Sequence, residues 1–447
     1  MGLSDIAVFH AIPLSTVDYL APVVCAVLIV LLFPLLAACI FIVERRILAE
    51  VQARSSALNP NSYGVLQPAA DAVDLVLQED VMSRNADPLL YWAAPLIGLL
   101  AIVLAFAVLP ISPTFQVADL NIGLVFVMGV SSLGSYGILL SGWASNRRDA
   151  ALAALHSCAG WIGYETAGAL GLISALLLSG SLSMKEIVQS QLDQGQWFIF
   201  YVPVGFLIYF IGSLVQTKRV SDVSFDAGTE IAAGVRAGYG GIRWLLDFLA
   251  EYANTILLAS VGTIVFLGGW LRPLASYRDR FPDTSIELLD VLPAVGMISL
   301  AVYCFRRPPK FPLEIQRTIK LSLGGLCVAA AVLLSASLFA PEPVMQSVHG
   351  AFWFIVKVSA YIYCCFWIRC TFLRPLPDAL KHLAWRMLVL TALLNLITTG
   401  AAILTSQSTG LPMRLTTILS TAATLAAAWR IFRNTAYESA WLAEDGE

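Results

Sequence analysis

Five carboxylates and a handful of arginines are the side chains in this sequence that could do chemistry. Glu165 stands in Gly163-Tyr164-Glu165-Thr166, midway along an apolar stretch. A carboxylate at that depth must be protonated, paired or hydrated. Glu44 closes an earlier apolar run, Glu251 opens a later one, and Asp226 and Glu230 lie in a polar loop between runs. Brought close together, such groups hold or release a proton as neighbouring charge changes, which is proton-relay chemistry. Arg45, Arg46 and Arg54 follow Glu44, while Arg369 and Arg374 follow the apolar run that begins at Phe352 and contains Lys357. Solvated caps at a membrane surface account for Arg45 and Arg46 as readily as a binding role does.

The elements that must position these groups are transmembrane helices. The chain is 58% hydrophobic and only 13% charged, with a mean hydropathy of +0.77. That composition describes an all-α polytopic integral membrane protein rather than a soluble core. A net charge of −3 argues against nucleic acid as a partner. The first residues carry neither a basic n-region nor a small-residue cleavage site, so no cleavable signal peptide is expected. The eight cysteines lie mostly in or beside apolar runs, without a C-x-x-C pair near a histidine, so no metal site is expected.

Runs long enough to span a bilayer fall near 19–43, 89–111, 122–142, 151–178, 197–216, 248–270, 288–305, 319–340, 352–370, 386–404 and 412–432. They make about eleven spans. Lys and Arg concentrate on one side: Arg147, Arg148, Lys218, Arg219, Arg236, Arg243, Arg306, Arg307 and Lys310, then Arg369, Arg374 and Arg430. The positive-inside rule makes that side cytoplasmic, and with it the 44–87 loop and the C-terminus. Within that loop Leu66, Ala69, Ala70, Val73 and Leu77 recur at helical spacing between Asp71, Asp74, Gln78 and Glu79. An amphipathic helix at the membrane surface is expected there, beside Glu44, as the mouth of a site.

The same loop carries Glu44-Arg45-Arg46, Gln52-x-Arg54 and Gly64-Val65-Leu66-Gln67-Pro68-Ala69-Ala70-Asp71. Later stretches are Ala118-Asp119-Leu120-Asn121-Ile122-Gly123, Ala144-Ser145-Asn146, Tyr164-Glu165, Phe248-Leu249-Ala250-Glu251-Tyr252-Ala253-Asn254, Leu267-Gly268-Gly269-Trp270, Phe352-Trp353 and Trp367-Ile368-Arg369. In order, from about Tyr19 to Leu404, they resemble the quinone-site membrane subunit (subunit 1, or H) of complex I, the proton-pumping NADH:quinone oxidoreductase. The resemblance implies a core of eight helices. Residues 1–287 would form its N-terminal part, with quinone-site loops 44–87 and 217–247, and residues 341–404 its remaining helices. Residues 288–340 would be an inserted transmembrane hairpin, and 405–447 an extra helix and cytoplasmic tail. Glu44, Glu165, Asp226, Glu230 and Glu251 would line a hydrated acidic path from the quinone chamber into the membrane. Arg45, Arg54, Arg369 and Arg374 would line or flank the quinone entry.

The resemblance also implies that this chain binds no cofactor of its own, with quinone as substrate and FMN and iron–sulfur clusters in partner subunits. A bacterial inner (cytoplasmic) membrane, lipid and other membrane and peripheral subunits would surround it. Where the family runs Phe-Asp-Leu-Pro-Glu-Ala-Glu-x-Glu-Leu, this chain reads Phe225-Asp226-Ala227-Gly228-Thr229-Glu230-Ile231, and Gly238 replaces a further glutamate. Three acidic positions are missing, which predicts weakened proton coupling. Two other readings start from the same residues: a related membrane-bound hydrogenase subunit without quinone, or a secondary transporter using Glu165 and Glu251. Inverted repeats would favour the transporter, and none is visible.

Overall fold

The computed structural model describes residues 35–48, 51, 67–79, 82, 84–217, 239–272, 293–302, 325, 327–335, 342–371, 382–410 and 412–444. Regular secondary structure among these residues is helical, with no strand. In chain order the helices are α1 (35–48), α2 (Gln67–Leu77), α3 (Pro88–Val108), α4 (Gly123–Ser131), α5 (Leu133–Ala144), α6 (Arg148–Ser179), α7 (Met184–Asp193) and α8 (Pro203–Gln216). Then follow α9 (Gly241–Phe266), α10 (Pro293–Val302), α11 (327–335), α12 (Glu342–Thr371), α13 (Val389–Thr409) and α14 (Met413–Glu444).

Six of the described helical stretches are long and apolar enough to cross a membrane: α3, α4 with α5, α6, α9, α12, and α13 with the turn Leu383–Leu388 before it. They coincide with six of the expected spans. The expected span at 197–216 is instead a 3-10 turn at Phe198–Phe200 followed by α8, whose first turn is set by Pro203. At about 1.5 Å per residue, the fourteen residues of α8 fall short of a bilayer core. The runs at 19–43, 288–305 and 319–340 are described only in part, as α1, α10 and α11. The last run is helical as α14 and lies outside the group of six.

Local sequence explains where these helices start and stop. The Asp87 carboxylate accepts from the Leu89 and Leu90 amides at 3.0 and 3.5 Å, and Pro88 occupies the first helical position of α3. Helix α6 ends on Gly180 at φ 70°, a left-handed stop suited to glycine. The span expected at 122–142 is broken between α4 and α5. There the Ser131 and Ser132 hydroxyls donate back to the Met128 and Gly129 carbonyls, competing with the helix's own ladder.

Helix α9 is the hub. Of its apolar stretch 83% is buried, against 28–56% in the other five spans, and it packs on α2, α3, α6, α7, α8 and α12. Its core neighbours include Leu172, Tyr209, Phe354, Tyr361 and Phe366. It begins at Gly241, seven residues before the expected start, because polar Arg243 and Asp247 are helical rather than part of a loop.

The far end of α9 is fixed by a charge. Lys357 of α12 is buried and donates from Nζ to the carbonyls of Leu267 (2.7 Å), Gly269 (3.0 Å) and Leu271 (2.5 Å). Its ammonium also lies 4.4 Å from the Trp197 ring centroid. Gly268 and Gly269, at φ 74° and 50°, make the turn that aims those carbonyls at one point. Replacing Lys357 by Met therefore leaves three carbonyls without their donor. We expect a loss of about 1–3 kcal/mol, read as a lower midpoint of thermal unfolding in detergent, with Lys357→Arg losing less. An unchanged midpoint in Lys357→Met would remove this role.

Candidate functional site

Helices α1, α9 and α12 converge on Glu44. Its carboxylate is buried, paired with the Arg369 guanidinium through Oε1, and accepts the Tyr252 hydroxyl on Oε2 at 2.7 Å. Sequence separations of 325 and 208 residues are closed in one node. Arg369 keeps a buried Nε–H with no partner among the described residues.

An aromatic wall adjoins the node. Phe41 sits edge-on to Phe248 (5.4 Å between centroids) and to Tyr252 (6.0 Å), and Trp244 stacks on Phe248 at 5.2 Å. Arg45 is exposed, with its guanidinium 4.2 Å from the Phe41 ring centroid. Charged hydrogen-bonding groups beside a flat apolar wall suit a ligand with a polar, ring-shaped head and an apolar tail. Helix α2 packs against α9 with Val73, Val76 and Leu77 exposed, as expected of the amphipathic segment.

A second polar point lies deeper. Glu165 of α6 is half-buried and accepts from Ser131 Oγ at 3.2 Å, at the break between α4 and α5. It opens on a partly open crevice whose lining includes Ser131, Tyr209, Gln216, Leu257 and Val261. Beside it α6 and α8 approach closely: a Cβ on Gly171 would lie 2.9 Å from the Gly205 carbonyl oxygen. Both polar points touch α9, through Tyr252 and Leu257, roughly 8 Å apart along its axis.

Of the residues singled out from sequence, the structure brings Glu44 and Arg369 together and sets Arg45 beside them. Glu251, next to Tyr252, is half-buried within α9 rather than at its start. Glu165 belongs to the separate crevice. Arg54, Asp226, Glu230 and Arg374 lie outside the described residues, as do Gly228 and Gly238.

Sequence reasoning missed Tyr252 as a partner and counted Arg243 only among the cations of the cytoplasmic side. Arg243 is 1% exposed, with its guanidinium 4.3 Å from the Tyr91 ring centroid, and Tyr91 stacks on Tyr239 at 4.2 Å. Burial raises the Tyr239 hydroxyl above its ordinary value, helped by Tyr91 and opposed by Arg243. The available signal was Tyr239-x-x-x-Arg243-Trp244, aromatics on either side of a cation within six residues.

Comparison with known proteins shows the family. Residues 24–400 match the family described as NADH dehydrogenase. The chain belongs to the complex I subunit 1/H family. It is 37% identical over 372 residues to the NADH-quinone oxidoreductase H subunit numbered 2 in Solibacter usitatus (strain Ellin6076), covering 82% of this chain and 92% of that protein. It is 34% identical over 400 residues to the H subunit numbered 1 in Koribacter versatilis (strain Ellin345), covering 86% and 92%. NADH-ubiquinone oxidoreductase chain 1 of Cyanidium caldarium shares 33% over 326 residues, covering 72% and 91%.

The pairing at Glu44 has a measurable consequence. Arg369→Met leaves a carboxylate buried without its cation, at a cost of about 3–5 kcal/mol. Adding Glu44→Gln to Arg369→Met should recover part of that loss in a double-mutant cycle of thermal unfolding. Additive losses would mean that the two side chains do not stabilise each other.

Proposed function

We propose that this chain is the membrane subunit of an NADH:quinone oxidoreductase and forms its quinone-binding chamber at the Glu44–Arg369–Tyr252 node. The convergence of a buried ion pair with the Phe41–Phe248–Trp244 wall on three helices carries the reading. The quinone head meets the polar groups, with the unpartnered Nε–H of Arg369 as an available donor, and the tail runs along the aromatic wall. The α2 face orients the opening toward lipid. Arg45, Arg54 and Arg374 flank the entry, and Asp226, Glu230 and Glu251 connect it to Glu165.

The chain carries no cofactor in this reading. Electrons arrive from partner subunits holding FMN and iron–sulfur clusters, docked on the cytoplasmic loops. About eleven spans, eight in the core, would lie in a bacterial inner membrane with the C-terminus cytoplasmic. Residues 288–340 would form an inserted hairpin and 405–447 an extra helix with its tail. With Gly228, Gly238 and the shortened loop, the proton path has fewer ionisable steps, so quinone chemistry proceeds with weakened coupling. The test uses the assembled complex. Glu44→Gln should lower NADH:quinone reduction by about tenfold to a hundredfold through misplacement of Arg369, while reduction of an artificial acceptor persists. Proteoliposomes of the parent should take up fewer protons per electron pair than a relative with the full acidic loop. Unchanged quinone reduction, or an equal proton ratio, would contradict the corresponding half of the reading.

A further inference from the structure

Helix α8 starts inside the protein rather than at its surface. Val202, Val204 and Gly205 are buried, and the helix is too short to cross a bilayer core. The first amides of an α-helix have no carbonyl partner within it. Pro203, at the first helical position, has no amide to satisfy. No side chain caps the turn, and among the described residues no carbonyl takes the Val204 or Gly205 amide. The next amide is served, from Phe206 to the Val202 carbonyl at 3.2 Å. Two donors therefore end in an apolar interior.

An unpaired side chain meets them there. Asn395 of α13 is 1% exposed, and its Oδ1 and Nδ2 are both buried without a hydrogen-bond partner among the described residues. Its backbone carbonyl accepts from the Thr398 and Thr399 hydroxyls at 3.1 and 2.5 Å, so the side-chain amide is the open group. That amide sits at Gly205: a Cβ there would lie 3.2 Å from Asn395 Nδ2 and 2.5 Å from Ser174 Oγ of α6. Ser174 gives its proton to the Gly171 carbonyl at 2.6 Å, which leaves its oxygen able to accept. Three helices thus bring donors and acceptors to one glycine.

The chemistry of these groups selects the guest. Residues 166–179 of α6, 203–216 of α8 and 389–409 of α13 include no charged side chain. An anion would lose its hydration there without a countercharge, and a metal cation would face N–H donors. A neutral molecule that both accepts and donates meets the requirement, and a buried water takes two to four such partners. We propose that one ordered water caps the buried start of α8, with Asn395 as the side chain that holds it. The water accepts from the Gly205 amide and from Asn395 Nδ2, and donates to Ser174 Oγ. It fixes the depth of α8, the helix that leads into the 217–247 loop. The site takes no part in proton transfer and is independent of the quinone reading.

The test uses the assembled complex in lipid nanodiscs, comparing the parent with Asn395→Leu, which keeps the bulk and removes both hydrogen-bonding atoms. Cryo-electron microscopy that resolves waters should show one compact density within hydrogen-bond distance of Asn395 and the Gly205 amide, lost in Asn395→Leu. Hydrogen–deuterium exchange of a peptide covering 198–209 should quicken roughly tenfold in Asn395→Leu, as its amides lose their acceptor. The peptide covering 210–216 should keep the parent rate. Four results would overturn the proposal: Asn395 bonded directly to the α8 amides, no density beside it, elongated lipid density, or a water that persists in Asn395→Leu at the parent exchange rate. Should Asn395→Leu fail to assemble, the parent map decides alone, because a dry site there contradicts the cap.

Discussion

The Glu44 carboxylate sits between Arg369 and Tyr252, and much of the surrounding packing keeps those three groups in register. Charges removed from water are tolerable only when paired and hydrogen-bonded. Each partner comes from a different helix, so α1, α9 and α12 must present these groups at the same depth. From the middle of α12, Lys357 grips the three carbonyls just beyond the end of α9. Helices α9 and α12 are thus fixed to each other at two points by groups that cannot slip without exposing a charge to hydrocarbon. Between the clamps, α9 is free to be almost wholly apolar.

That arrangement lets one rigid helix serve two sites. Tyr252 belongs to the Glu44 node, and about one and a half to two and a half turns on, Leu257, Leu258 and Val261 form a wall of the Glu165 crevice. The break at Ser131–Ser132 completes the second site from the opposite side, because Ser131 divides its hydrogen bonds between the Met128 carbonyl and Glu165. A rotation or shift of α9 at the node would therefore be felt in the crevice through direct packing.

Long apolar runs made most spans legible in the sequence, and the isolated Glu165 marked its own depth. Other features were hidden for physical reasons. Hydropathy averages over a window, so the serine break between α4 and α5 vanished into one span. Arg243 and Asp247 read as loop residues, although the guanidinium of Arg243 is satisfied in part by aromatic faces. The partners of Lys357 are backbone carbonyls, which have no sequence signature. Glu44 and Arg369 were each visible, but their pairing is tertiary, across most of the chain.

A photoreactive quinone bearing its azido group on the head ring gives the most direct test of the central claim. The assembled complex would be illuminated with the probe, digested, and its labelled peptides mapped. The structure predicts label in the Phe41–Ile47 and Trp244–Tyr252 segments, suppressed by excess unlabelled quinone. Competable label confined to other subunits, with none on these two segments, would contradict a quinone chamber built around Glu44.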